Sequence, residues 1–332
     1  MLRKDRKQIG VGPIGFSILL ILLMIGLASE AGFAAEKYPS RPISLIVPYG
    51  PGGVSDIASR IVTEKMGPIL GQPFISQHRP GGGGSLGAAI AAKAKPDGYT
   101  VLVGGATPLI LSPIVKKMDY KLDDFVQTGM LGGTPLWVAV KADAPWKTLK
   151  DFVEAAKKAP GKLNASSYGK LSTADFAIEM LNRQGGIKLN HVPYKSTPEA
   201  LTAVLGGNAD AAFVTGTGGL MEGGSVRVLA ISGEKRLEGL PDIPTFRDFG
   251  YNIDFYFWYS LCVPKGTPQE VITLLANAHK KAFEVHGKEI KEAMRKIEVW
   301  AVYMGPKETT EQYKRDYEVL YKLADELGLV AK

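Results

Sequence analysis

The segment from Pro48 to Asp56, PYGPGGVSD, combines residue types that bind anions. It follows a buried-strand pattern and precedes a helical one, so it lies at the carboxyl edge of a parallel sheet, where open α/β sheets bind ligands. Gly52 and Gly53 allow a ligand to approach the backbone, while Ser55 and Asp56 fall at a helix start whose N–H groups and dipole favour an anion. The alternative is a tight turn with Asp56 as an ordinary N-cap, which is compatible with the same site.

A second segment of this kind, NASSYGKLST from Asn164 to Thr173, again leads from a strand into a helix. Two such helix starts facing each other across a cleft would hold the two ends of a dicarboxylate. The alternative here is ordinary capping by Ser172. Thr107 and Thr215 each follow a predicted strand and are either ligand-binding groups or plain loop hydroxyls. The candidate ligand-binding residues are Tyr49, Gly52, Gly53, Ser55, Asp56, Thr107, Ser166, Ser167, Tyr168, Gly169, Ser172, Thr173, Tyr194 and Thr215.

Patterns typical of catalysis are weak. Residues 83–87 match the G-x-S-x-G pattern of a hydrolase around Ser85, but several residues separate Ser85 from the preceding strand, and that motif needs a sharp strand-to-helix turn. The sequence has no P-loop, and the dinucleotide-binding pattern G-x-G-x-x-G is absent after the first predicted strand. The four histidines lack metal-ligand spacing. We expect no catalytic residue, cofactor or metal, and a hydrolase that uses Ser85 is the alternative.

The elements that position these residues alternate between short β-branched runs and helical patterns, which is typical of an α/β fold. A first series starts with a strand at Ile43–Pro48 and a helix at Ile57–Leu70, and a second series starts with a strand at Leu136–Val140. We predict two mostly parallel sheets flanked by helices. Three predicted helices close the chain, at about 268–284, 289–296 and 309–326.

Short crossings near Gly132–Gly133 and near Tyr256–Trp258 indicate that the chain leaves one lobe, builds a second and returns. The predicted first lobe is therefore discontinuous, with residues 36–132 and 259–332, and the second lobe comprises residues 133–258. Two crossing strands between the lobes would form a hinge.

The first 34 residues are typical of a cleavable signal peptide. A basic start precedes the apolar stretch Ile14–Leu27, and the small residues Gly32 and Ala34 precede a cleavage site at Ala35. The alternative is an uncleaved anchor, although a spanning helix needs about 20 apolar residues. No cysteine follows the apolar stretch to carry a lipid, so we expect export to the periplasm.

Composition narrows the possible partners. The chain has 332 residues, which suffices for two domains of roughly 150 residues each, and a formal net charge of +7. That mild positive charge favours an anionic ligand without demanding one. The basic residues form no stripe with interleaved aromatic residues, so we expect no nucleic-acid binding. The single cysteine, Cys262, lies in an apolar run and is predicted to be a buried, inert thiol.

Several motifs resemble the periplasmic solute receptors of tripartite tricarboxylate transporters, also called Bug receptors. The resemblance begins at about Tyr38 and implies a two-lobed, type II-like periplasmic binding protein fold without catalysis. It implies a small organic carboxylate as ligand and a two-component membrane permease as partner, and we expect a monomer. The matching motifs are YPSRPISLIVPYGPGGVSDIASR (38–60), LGQPFISQHRPGGGGSLGA (70–88), KPDGYTVLV (95–103), LDDF (122–125), HVPYKSTPEALTAVLGGNAD (191–210) and PKGTPQEVITLL (264–275).

In that family, the loop matching Tyr49–Asp56 grips one carboxylate and the loop matching 166–173 approaches the other end of the ligand. Two residues depart from the family pattern: Leu171 stands where a second glycine is common, and Asp175 where a histidine is common. These departures leave open a ligand that is less anionic at that end, either aromatic or a monocarboxylate. A ligand sensor that docks on a membrane kinase is a further alternative to transport.

Overall fold

A computed structural model describes residues 37–170, 172–237, 239–326 and 328–331. The predicted signal peptide, residues 1–34, and the predicted influence of Leu171 on the ligand lie outside these described residues. Residues 41–332 form one compact unit that contains two separate β-sheets.

Ten strands and eight α-helices position the site within the described residues. The strands are β1 Ile43–Val47, β2 Phe74–His78, β3 Thr100–Gly105, β4 Phe125–Pro135, β5 Trp137–Lys141, β6 Asn164–Ser167, β7 Asn190–Pro193, β8 Ala211–Val214, β9 Val226–Ile231 and β10 Tyr256–Pro264. The helices are α1 Val54–Leu70, α2 Ser85–Ala92, α3 Ser112–Val115, α4 Leu149–Lys158, α5 Thr173–Gly185, α6 Thr197–Leu205, α7 Gln269–Arg295 and α8 Pro306–Glu326. Shorter helical turns lie at Gly82–Gly84, Thr107–Leu111, Leu122–Asp124 and Phe246–Phe249.

The two sheets share one topology. The first sheet has the order β2-β1-β3-β10-β4 and the second has the order β7-β6-β8-β5-β9. In each sheet the first three strands are parallel and the fourth is antiparallel to both of its neighbours. Strand β1 in the first sheet therefore occupies the place of β6 in the second, and the two candidate loops follow equivalent strands. The prediction of two mostly parallel sheets with flanking helices is confirmed.

We call each sheet with its helices a lobe. The first lobe holds β1–β4, β10 and the two C-terminal helices, since α7 packs on α1 and α8 packs on β4. Strands β4 and β10 are antiparallel partners that pair Tyr256 with Pro135, where the chain passes to the second sheet. The predicted lobe boundaries, after residues 132 and 258, fall inside these two strands and stay predictions.

Side-chain caps occur at the starts of α4, α5 and α6 among the described helices. The spacing of Thr148 and Asp151 predicts a capping box at the start of α4. The Thr148 side chain accepts a hydrogen bond from the Asp151 N–H, and the Asp151 carboxylate accepts one from the Thr148 N–H, so this prediction is confirmed. Ser172 caps α5 as predicted. Thr197 followed by Pro198 predicts Thr197 as the cap of α6, which is wrong, because the cap is Ser196. Two helices were predicted where the continuous 27-residue α7 lies, which was wrong.

Candidate functional site

The loop after β1 leaves a helix start open. Gly53 is the N-cap residue of α1 and has no side chain with which to cap it. The N–H groups of Val54 and Ser55 have no hydrogen-bond partner among the described residues, and both residues are buried. The start of α1 therefore presents free N–H donors at the carboxyl edge of the first sheet.

Asp56 turns away from that opening. Its Oδ2 accepts a hydrogen bond of 2.9 Å from the Gly52 N–H, which ties the carboxylate to its own loop. Its Oδ1 lies 3.2 Å from His78 Nε2 and 3.4 Å from Arg60 Nε, although the contact with His78 lacks the alignment of a hydrogen bond. Asp56 therefore fixes the shape of the loop from behind the site.

The corresponding helix start in the second lobe is closed by protein groups. Ser172 Oγ accepts a hydrogen bond of 3.1 Å from the Asp175 N–H, and it donates one of 2.6 Å to the Gly169 carbonyl. The Thr173 N–H donates to Thr107 Oγ1 at 3.1 Å, and the two threonine hydroxyls lie 2.8 Å apart. Because Thr107 belongs to the first lobe, one lobe supplies the acceptor that the helix start of the other requires.

A small cavity lies between the two lobes, beside the open start of α1. Its volume is about 20 Å³. A cavity needs roughly 10–15 Å³ to hold one water molecule, so this space is about the size of one water. Its lining comes from both sheets: Tyr49, Gly53, Val54, Ser55, Tyr168, Thr197, Thr215, Phe257 and Tyr259.

The aromatic residues of the lining pack edge to face. The ring centroids of Tyr49 and Tyr168 are 5.7 Å apart at 88°, and those of Tyr168 and Phe257 are 6.2 Å apart at 83°. Tyr49 belongs to the first lobe and Tyr168 to the second, so this contact joins the lobes. Edge-to-face pairs of this kind contribute about 0.5–1.5 kcal/mol beyond their burial.

The polar groups of the lining are neutral hydrogen-bonding groups. Burial raises the pKa of the Tyr49, Tyr168 and Tyr259 hydroxyls, so all three keep their protons at physiological pH. The Tyr259 hydroxyl lies near Thr215 without the geometry of a hydrogen bond and has no other partner among the described residues. None of the described lining residues is a lysine, arginine or histidine.

The structure divides the candidate residues from the sequence into three groups. Five of them line the cavity: Tyr49, Gly53, Ser55, Tyr168 and Thr215. Thr107 and Thr173 bond to each other beside it, and Ser167, Gly169 and Ser172 shape the second loop. Four others point elsewhere: Gly52 is exposed, Asp56 lies behind its loop, Ser166 Oγ donates to the Ala200 carbonyl, and Tyr194 packs on the second-lobe core.

Sequence interpretation missed four lining residues, namely Val54, Thr197, Phe257 and Tyr259. Phe257 and Tyr259 belong to a stretch with six aromatic residues, 251–259, but core packing explains such a stretch equally well. Thr197 follows the strand β7 at a helix start, which is the same signal that identified Ser55.

A Ser–His–Asp hydrogen-bond chain lies behind the second loop. Ser167 Oγ is 2.6 Å from His191 Nε2, and His191 Nδ1 is 2.8 Å from Asp175 Oδ1. These atoms connect in the order of a catalytic triad. However, Ser167 is fully buried, and its hydroxyl also contacts the backbone N–H and carbonyl of Gly169. These hydrogen bonds therefore hold the second loop in place, and Ser167 is not accessible as a nucleophile.

Ser85, the predicted alternative nucleophile, has no histidine hydrogen-bonded to it among the described residues. No group of three or more metal-binding side chains occurs in the same described ranges. Nor does any helix there combine the length and apolar character of a membrane span.

Comparison with known proteins places the chain in a family. A family model described as "Tripartite tricarboxylate transporter family receptor" matches residues 58–327. A protein of Cupriavidus necator, "UPF0065 protein in gbd 5'region", is 33% identical over 306 residues, which cover 90% of this chain and 93% of that protein. The chain belongs to the tripartite tricarboxylate transporter receptor family, as its motifs predicted.

Two solved structures share the whole fold. "Structure of a periplasmic transporter" has a TM-score of 0.83 at 31% identity and covers 88% of this chain and 99% of its own. The periplasmic binding protein BugD has a TM-score of 0.81 at 27% identity and covers 89% of this chain and 100% of its own. The predicted periplasmic binding protein fold is confirmed, and family and fold are those of substrate-binding proteins.

Proposed function

We propose that this protein is a periplasmic receptor that binds a small carboxylate between its lobes and delivers it to a tripartite-type membrane permease. The observation that carries this proposal is the inter-lobe cavity beside the open start of α1. There the N–H groups of Val54 and Ser55 meet hydroxyls from both lobes. Family membership supports the permease as the partner.

The donors around the cavity favour an anion. A helix N-terminus carries a partial positive charge and unsatisfied N–H groups, which carboxylates satisfy well. Tyr259 is buried, protonated and without a hydrogen-bond partner among the described residues, so its hydroxyl is a further donor. Buried polar groups are nearly always hydrogen-bonded, and a ligand carboxylate would supply the missing acceptor.

Ligand entry requires the lobes to separate. A space of about 20 Å³ is too small for a carboxylic acid. The Gly50 N–H donates to the Lys195 carbonyl at 3.2 Å, and the Tyr49–Tyr168 contact also bridges the lobes, so both contacts would open with the cleft. A ligand that binds better between closed lobes shifts the population toward the closed form, which the permease would recognise.

We further propose that residues 1–34 are removed before Ala35 and that the mature chain is a periplasmic monomer. N-terminal sequencing of the exported chain and its mass in solution check both statements. Retention of the first 34 residues in the exported protein would contradict the cleavage site.

Binding is tested by calorimetry and thermal unfolding against a panel of carboxylates. A ligand at 100 times its Kd should stabilise the fold by about 2.7 kcal/mol. Ser55→Ala should weaken binding about tenfold, since one hydrogen bond to a charged group is lost. Ser225→Ala, at an exposed serine in the second lobe, is the matched control. Failure of every carboxylate to bind would overturn the proposal, and co-purification with the permease tests delivery.

A further inference from the structure

The two helix starts at the site, one in each lobe, differ in how many free N–H groups they offer a ligand. This difference indicates which class of ligand binds, and the inference rests on the proposed receptor function. In the first lobe, the start of α1 has no side-chain cap and its first N–H groups are free among the described residues. In the second lobe, the Thr173 and Asp175 N–H groups at the start of α5 already donate to Thr107 and Ser172. The predicted pair of opposed anion sites is therefore reduced to one.

The other second-lobe helix start at the cavity, that of α6, does not replace it. Thr197 lines the cavity from the first position of this helix, but the next residue, Pro198, has no N–H group. The Glu199 N–H donates to Ser196 Oγ at 3.4 Å, and the Glu199 carboxylate adds a negative charge to the same turn. This end of the cavity offers the Thr197 hydroxyl, which lies 3.4 Å from the Thr215 hydroxyl, and no cluster of amides.

Among the described lining residues, no positive charge is available for a second carboxylate. The described lining contains no basic side chain, and three of its nine residues are protonated tyrosines. Burying an anion without a compensating charge or hydrogen bonds is costly, and a dianion doubles that requirement. The rings of Tyr49, Tyr168 and Phe257 also line the cavity, and they suit an apolar or aromatic body.

We propose that the ligand is a monocarboxylate with an apolar or aromatic body, and that Tyr259 is a ligand-binding residue. The single carboxylate accepts hydrogen bonds from the start of α1, from Ser55 and from the Tyr259 hydroxyl. Tyr259 is 5% exposed and lines the cavity, yet its hydroxyl lacks a partner among the described residues. The body of the ligand packs on the aromatic walls, and its far end meets the Thr197 and Thr215 hydroxyls.

The test compares acids that differ only by a second carboxylate: butanoate with succinate, hexanoate with adipate, and benzoate with terephthalate. Calorimetry should show that the monoacid of at least one pair binds, at least 30-fold more tightly than its diacid. A diacid that binds as tightly as its monoacid, or more tightly, would overturn the inference while leaving the receptor function intact. If no acid of any pair binds, the inference is overturned, and the wider carboxylate panel then decides whether the receptor proposal fails as well.

Two variants test the assigned residues. Tyr259→Phe should weaken the best monoacid about tenfold without lowering Tm, because its hydroxyl makes no hydrogen bond within the described protein. Tyr317→Phe, at an exposed tyrosine of α8, is the matched control. If Tyr259→Phe binds the monoacid as tightly as the parent protein, Tyr259 is not a ligand-binding residue.

Thr107→Ala should shift the ligand preference from the monoacid toward the diacid. It frees the Thr173 N–H and so should raise the affinity of a diacid relative to its monoacid at least tenfold. A diacid-to-monoacid ratio that stays as in the parent protein would show that closure of α5 does not set the ligand class.

Discussion

The buried carboxylate of Glu298 accepts two hydrogen bonds from Thr217, one from its backbone N–H and one from its hydroxyl. Glu298 follows α7 in the first lobe, and Thr217 follows β8 in the second, so this contact joins the lobes beside the cavity residue Thr215. Glu298 also has a positive φ of 59°, which non-glycine residues rarely adopt. Burial raises the pKa of the Glu298 carboxyl.

Substitution of Glu298 should separate two effects on the free energy of unfolding: the hydrogen bonds of its side chain and the strain of its positive φ. Glu298→Ala should lower the free energy of unfolding by about 2 kcal/mol, because the buried Thr217 donors lose their acceptor. Glu298→Gly should lose about 1 kcal/mol less, since glycine adopts positive φ readily. Urea denaturation measures both, with exposed Glu318→Ala as the control. Equal stability of the alanine and glycine variants would show that the φ of residue 298 costs nothing.

His279 should make the protein less stable in mild acid. Burial lowers the pKa of His279 to about 4, from 6.5 for an exposed histidine. The unfolded chain therefore takes up a proton first, and stability is lost as the pH falls from about 6.5 to about 4. The loss should total about 3 kcal/mol at 1.36 kcal/mol per pKa unit.

Denaturation curves of the parent protein and His279→Phe, measured between pH 7.5 and 4, check this expectation. Their difference isolates His279 from Asp316, whose pKa is raised by burial to about 6 and whose effect has the opposite sign. His286→Gln, at a half-buried histidine of α7 beside Glu289, is the control. If the stability of the two proteins changes with pH in the same way, His279 is not the group responsible.

The Ser167–His191–Asp175 chain should affect loop geometry and not hydrolysis. His191→Phe removes the hydrogen-bond partner 2.6 Å from Ser167 Oγ and should weaken ligand binding several-fold through the displaced second loop. A fluorophosphonate probe should label neither Ser167, which is buried, nor Ser85, which lacks a histidine partner among the described residues. Labelling that disappears in Ser167→Ala or Ser85→Ala would instead indicate an enzyme.

Gly169 should be required for lobe closure. It has φ 140°, and a Cβ atom there would lie 3.1 Å from the Gly83 nitrogen and 3.3 Å from its Cα, across the lobe interface. Gly169→Ala should reduce ligand affinity at least tenfold, because the closed form becomes crowded. Gly207→Ala is the matched control: φ is also positive at 75°, but nothing lies within 4 Å of its Cβ position. Both variants should lose about 1 kcal/mol of stability from backbone strain, and calorimetry should separate them.

Sequence patterns predicted the parallel strands well but missed β4. This strand, Phe125–Pro135, contains three glycines and therefore reads as a turn region. It is a strand because β10 pairs along it, and because glycine is needed where Trp300 approaches: a Cβ at Gly132 would lie 2.5 Å from the Trp300 carbonyl oxygen. Similarly, α7 continues through Gly287 because its buried face packs on α1.

Some residues around the cavity could be predicted from the sequence and others could not. Gly53 and Ser55 were predictable because a glycine-rich strand-to-helix turn is a local pattern that creates free N–H groups wherever it occurs. Tyr259 was not predictable, because it lies in a continuous apolar run that is typical of any buried strand.

The chain's own sequence determined its alternating elements, the caps of α4 and α5, the turn before α1 and membership of the receptor family. Each of these depends on residues within a few positions of one another, where backbone geometry fixes which groups can meet. Only the tertiary structure decided which helix start stays open, because Thr107 and Thr173 are 66 residues apart and meet across two lobes. Contacts at such separation depend on how the whole chain packs, and no local pattern encodes them.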